Sequence, residues 1–151
     1  MAGLLMRRHL AVQLDDHSQP QTFAANALSA EVCMTNINII ERDGLVQRAA
    51  EVGDEAMQRL QAAAKELEII GDVRGRGLMI GVELVANRET REPLSPDKTG
   101  AIVIAMLQRG VIMVPCGRYG NVLRLMPSLT LPRSYMNAGI DIMLDELRNA
   151  Q

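Results

Sequence analysis

The sequence predicts an α/β fold of the α+β-like kind, with helices packed on a small mixed sheet. Three observations carry that prediction. Apolar residues recur at helical spacing over 24–42, 45–67, 96–109 and again after Pro132. Residues 77–85 instead alternate at period two, with Leu78, Ile80, Val82 and Leu84 on one side. Asp43-Gly44, Gly110, Pro127 and Pro132 separate the segments, giving the order α, α, β, β, α, β, β, α.

The elements follow in turn. Residues 1–20 show little period, and 15–20 (DDHSQP) read as a polar turn, so this lead is expected to be irregular. The domain proper is expected to span 21–151. The first helix places Leu28, Val32, Ile39 and Ile40 near one face and ends at Asp43-Gly44. The second helix carries a stripe of Val46, Ala49, Ala50, Gly53, Met57, Leu60, Ala64 and Leu67. The Asp-Gly joint between the two suggests a helical hairpin. A short bent strand over 68–74 and the alternating strand over 77–85 come next, then a polar loop to 95. Ser95-Pro96-Asp97 reads as an N-cap, a proline in the first turn and an acid beside it. That helix should stop at Gly110. Short strands are expected over 111–114 and 121–126, with a turn over 115–120. The last helix opens at Pro132 and buries Met136, Ile140, Met143, Leu144 and Leu147.

Composition narrows the function classes. The chain has 151 residues, enough for one domain with a real core. Sixteen basic and 18 acidic residues leave a net charge of −2, which argues against a nucleic-acid or anionic-membrane partner. Phe23, Tyr119 and Tyr135 are the only aromatic residues, too few for a base-stacking platform. Cys33 and Cys116 make neither a disulfide framework nor a zinc site, so a reducing compartment is expected. Arg7, Arg8 and His9 interrupt the first apolar stretch, and no apolar run reaches the ~18 residues of a membrane span. These features suggest a cytoplasmic protein.

Three segments could carry chemistry. QTFAAN at 21–26 precedes a helix, where a threonine hydroxyl and free backbone amides serve either as an ordinary cap or as an anion site. IGDVRGRGLMIGVEL at 70–84 holds glycines beside Arg74 and Arg76, either a tight turn into a strand or a phosphate cradle. It is neither a Walker loop nor a dinucleotide fingerprint, because a strand follows the glycines. GRYGNVLRLMPSL at 117–129 sets Arg124 between Leu123 and Leu125 in an apolar strand. A buried guanidinium needs a counter-charge, so Arg124 either pairs with an acid of the protein or faces an anionic ligand. No Ser-His-Asp arrangement has credible context, and no metal-ligand cluster stands out. The two lysines, Lys65 and Lys98, fall on predicted solvent faces.

Together, in order and spacing from Thr22 to the end, these segments resemble the C-terminal part of class III aminotransferases, the pyridoxal-phosphate enzymes of ornithine, 4-aminobutyrate, diaminobutyrate and acetylornithine. The resemblance implies the C-terminal domain of a fold-type I enzyme and a transfer of an amino group from an amine or amino acid to a keto acid. It implies that Thr22 contacts the phosphate of pyridoxal 5'-phosphate in a neighbouring subunit. It implies that Arg124 holds the substrate carboxylate. The Gly-Arg-Gly turn remains structural in this reading. The chain departs from the family at Ala24 and Ala25, where glycine is usual, and at Ala27 and Ser128, where proline is usual. The family's Schiff-base lysine lies upstream of the Thr-Phe element, and residues 1–21 hold no lysine. The expectation is therefore a C-terminal piece with no catalytic residue of its own, inactive alone. Its expected partner is a second copy or a chain bearing the large cofactor domain. The alternatives are a non-catalytic dimerisation or complementation module, and a carboxylate-binding module that uses Arg124 without the cofactor.

Overall fold

The computed structural model describes residues 6–13 and 26–151. These divide into two units, Met1–Gly44 and Leu45–Gln151. The first unit holds a single helical turn, α1 (Arg8–Ala11), within a lead expected to be irregular, and α2 (Ala27–Arg42). Asn26 caps α2, its side-chain oxygen accepting from the Ser29 amide at 3.0 Å. The helix therefore starts later than position 24. No residue of α2 is buried. The polar stretch 15–20 lies outside the described residues.

The second unit carries α3 (Leu45–Glu66), β1 (Ile70–Arg76), β2 (Met79–Asn87), β3 (Glu92–Pro93), α4 (Pro96–Gln108), β4 (Pro115–Cys116), β5 (Val122–Leu125) and α5 (Arg133–Asn149). The sheet runs β1-β2-β5-β4, with β3 against the end of β2. The α/β class holds, but every pairing is antiparallel, so the sheet is not mixed in direction. The reason lies in the α4 crossover. It returns the chain to β4 in the same sense as β2, but β5 inserts between them and pairs antiparallel with both.

Alternation in β2 does what the sequence predicts. Ile80, Val82 and Leu84 are buried, while Met79 is exposed. They join Val73 of β1 and Leu123 and Leu125 of β5 on one face of the sheet. That face, α3, α4 and α5 share one core, and all five residues expected from α5 are in it. Ser95 caps α4 as expected, accepting from the Lys98 amide.

Three details differ from expectation. Residues 111–114 form no strand, and the ladder is made by Pro115 and Cys116, paired with Leu123 and Val122. The two-residue β3 falls within the expected loop and pairs with β2 across an irregular register. The buried residues of α3 are Leu45, Val52, Gly53, Ala56, Leu60 and Ala63. Of the expected stripe, Gly53, Leu60 and Leu67 are buried and Ala49, Met57 and Ala64 pack partly buried against the core, while Val46 and Ala50 are exposed.

A close approach of two backbones fixes which face α3 turns to the sheet. A side-chain carbon on Gly53 would sit 2.1 Å from the Gly77 carbonyl oxygen, so α3 rests directly on the β1–β2 turn. Gly77 is the first of two residues joining Arg76 to Met79 and has φ +55°, the left-handed geometry a two-residue hairpin asks of glycine. Gly75, too, makes room for protein atoms. At Gly75 a side-chain carbon would meet the Met79 oxygen at 2.2 Å. The turn reading holds.

Gly53→Ala should therefore destabilise the protein by about 2–3 kcal/mol, because backbone rather than a flexible side chain must yield. Gly100→Ala in α4 meets nothing within 4 Å. It should be neutral or stabilising by up to ~1 kcal/mol. Urea denaturation midpoints test the pair, and equal midpoints would refute the contact.

Candidate functional site

The strand β5 is four residues, and its burial alternates around one polar side chain. Val122, Leu123 and Leu125 are buried and Arg124 is exposed. Leu123 and Leu125 face the core, so Arg124 projects from the opposite face of the sheet. No ion pair or hydrogen bond engages its side chain among the described residues. Exposure removes the desolvation penalty that a buried guanidinium would carry, so the fold does not demand a counter-charge there.

Two polar contacts hold this strand in place. The buried Asn121 amide donates to the Leu84 carbonyl at 2.6 Å, and the Leu84 amide returns a bond to the Asn121 carbonyl at 2.8 Å. Beyond Pro127, the half-buried Arg48 guanidinium of α3 donates to the carbonyls of Leu129 and Leu131. Sequence reasoning misses Arg48. A residue on a helix that bonds to carbonyls eighty positions away leaves no local signal.

Arg124 lines a groove of about 410 Å³ between the 111–114 stretch, the end of β5 and the first turns of α5. Ile112, Val114, Met126 and Tyr135 form an apolar, exposed rim. A cationic fork at the edge of an apolar groove suits a ligand with a carboxylate at one end.

On the same outer face, Arg74 of β1 makes ion pairs with Asp72 at 2.7 Å and Glu83 at 2.6 Å. Hydrogen bonds donated to Asp72 and then to Glu83 push the Arg74 guanidinium above its usual pKa. Arg74 is thereby committed to protein carboxylates. Arg109 is similarly held by Glu146 and Asp145, which raise its pKa.

Thr22 lies outside the described residues. Lys65 and Lys98 are both exposed, as expected, and neither lines the Arg124 groove. Among the described residues no group of His, Cys, Asp and Glu is placed to hold a metal ion, and no helix is long and apolar enough to cross a membrane.

The helices packed on one face of this antiparallel sheet form a domain of the pyridoxal-phosphate aminotransferase fold. The chain matches the family model for aminotransferase class-III over residues 1–147, and it belongs to that family. It is 40% identical over 122 residues to a 4-aminobutyrate aminotransferase of Mycobacterium leprae, covering 81% of this chain and 27% of that protein. It is 36% identical over 143 residues to an alanine/serine racemase of Pyrococcus horikoshii, covering 95% of this chain and 29% of that one. Among solved structures, a pyridoxal-phosphate-bound amine transaminase from an uncultivated Pseudomonas species superposes with a TM-score of 0.72 at 28% identity, covering 89% of this chain and 29% of that one. The chain thus spans less than a third of the length of these relatives. The family is pyridoxal-phosphate-dependent. Both lysines, Lys65 and Lys98, are exposed to water and stand away from the groove.

If Arg124 serves a ligand rather than the fold, Arg124→Met should change stability by no more than ~0.5 kcal/mol. Arg48→Met should cost about 1.5–3 kcal/mol, because it removes charge-assisted bonds to two carbonyls. Denaturation curves of the two variants check the contrast, and a large loss for Arg124→Met would make it a structural residue.

Proposed function

We propose that this chain supplies the substrate-carboxylate arm of a class III aminotransferase that moves an amino group from an amine or amino acid to a keto acid. Arg124 receives the carboxylate. The observation that carries this reading is the exposed guanidinium of Arg124, raised beside an apolar groove with no acid engaging it among the described residues. Arginine suits the task because its planar fork meets both carboxylate oxygens at once. The family match and the 4-aminobutyrate aminotransferase among the relatives support transamination, while the alanine/serine racemase is a relative with other chemistry.

Thr22, by the same family pattern, contacts the cofactor phosphate of a neighbouring subunit. The lysine that would carry pyridoxal phosphate is supplied by another part of the assembly, either a large cofactor domain or a second chain. The exposed apolar rim of the groove supports a partner there, since Ile112 is 84% exposed and Tyr135 69%. A complementation module without chemistry of its own is the second reading, and the same rim favours it.

Mixed alone with pyridoxal phosphate and reduced with borohydride, the chain should give no stoichiometric adduct. A specific adduct on Lys65 or Lys98 would overturn the claim that the lysine comes from elsewhere. With a lysine-bearing domain supplied in trans, Arg124→Lys should lower kcat/KM for carboxylate substrates roughly tenfold to a hundredfold. Amines without a carboxylate should be affected much less. An equal loss on both would refute the role given to Arg124.

A further inference from the structure

The register of the sheet places three positions in one row across its outer face. Arg74 pairs with Gly81, and Gly81 pairs with Arg124. No side chain stands between the two guanidinium-bearing residues, because the middle position is glycine. In the next row Asp72 pairs with Glu83, and Glu83 with Val122. Glu83 is therefore diagonal to Arg124, a separation of roughly 7–8 Å that long side chains bridge. It is also directly opposite Asp72, and two like charges in that arrangement repel. Arg74 resolves both problems by holding Asp72 and Glu83 on the same terminal nitrogen.

We propose that Arg74 is a positioning residue for Arg124: it keeps Glu83 on the β1 side of the sheet, so that the Arg124 fork stays open to a substrate carboxylate. This rests on the carboxylate role proposed for Arg124. Without Arg74, the Glu83 carboxylate is repelled by Asp72 and has one cation within diagonal reach, Arg124. Glu83 then competes with the substrate. Arg74, Asp72 and Glu83 are between 30% and 53% exposed by side chain and Arg124 is exposed, so water screens the competition and its size is that of a surface ion pair. Gly81 completes the device, since a longer side chain there would stand between the two arginines.

The test uses the chain itself at low salt, with 15N-labelled arginine and the Arg124 Nε–H signal assigned by its loss in Arg124→Met. In Arg74→Met, hydrogen exchange at that site should slow, because Glu83 now accepts from it. Titration with 2-oxoglutarate, followed on the same signal, should show a dissociation constant about two- to fivefold weaker than in the unaltered chain. Arg74→Met combined with Glu83→Gln should restore both readings, which a merely structural role would not do. Arg74→Gln should repeat the single-variant result and guards against an effect of methionine packing. Unchanged exchange and affinity in Arg74→Met, or a defect that persists in the double variant, would overturn the proposal. If 2-oxoglutarate moves the Arg124 signal in no variant, the carboxylate role fails, and the exchange arm still decides whether Arg74 restrains Glu83.

Discussion

The contact between Gly53 and Gly77 is the constraint on which the rest of the domain depends. It brings a helix backbone onto a hairpin turn with no side chain between them. That approach sets the rotation of α3, which in turn decides which of its residues enter the core. It also seats the β1–β2 hairpin on α3, and β2 is the strand that β5 pairs with. Arg124 stands where it does because each of these placements is inherited by the next. The interior follows the same logic, with one buried face of the sheet shared among three helices.

Arginine does three separate jobs in this domain. Arg48 and Arg88 bond to backbone carbonyls and hold loops and strand ends to α3. Arg59, Arg133 and Arg109 join helices to one another through carboxylates, with Asn137 also accepting from Arg59. Arg124 does neither among the described residues. The planar guanidinium serves all three jobs because its weak hydration and fixed fork suit carbonyls and carboxylates alike. Arg76, Arg91 and Arg118 are likewise without an ion pair among the described residues, so Arg124 is marked by the apolar groove beside it.

Much of this fold is legible in the amino-acid sequence. The period-two run in β2 identifies the buried face because alternation in a half-covered strand has one solution. The cap at Ser95 and the apolar face of α5 are equally plain. The edges of the α3 stripe are less plain, because they are rich in alanine, which burial and exposure both tolerate. The ladder at Pro115 and Cys116 is hidden because a β-rich run, 111–114, lies next to it and proline weakens a strand reading. Arg124 is singled out by its apolar neighbours, yet the sequence pattern implies a burial that the strand's outward face does not impose. Arg48 has no signal at all, and the Asp72–Arg74–Glu83 cluster needs the register before its members become neighbours.

The strand order has a consequence for how the domain assembles. β1 and β2 close through a two-residue turn, and α3 directly precedes them, so this half can form from contacts close in sequence. β5 reaches β2 only after α4 and the edge strand have been traversed, and it pairs Ile80 with Leu125. Closing that long loop costs chain entropy before any ladder bond returns it. Contact order therefore favours the hairpin and α3 as an early platform and β5 as the late arrival. Until β5 docks, β2 is an open edge with alternating apolar residues, the kind of template on which chains associate wrongly. The strand that carries the candidate binding residue is also the one that seals the sheet.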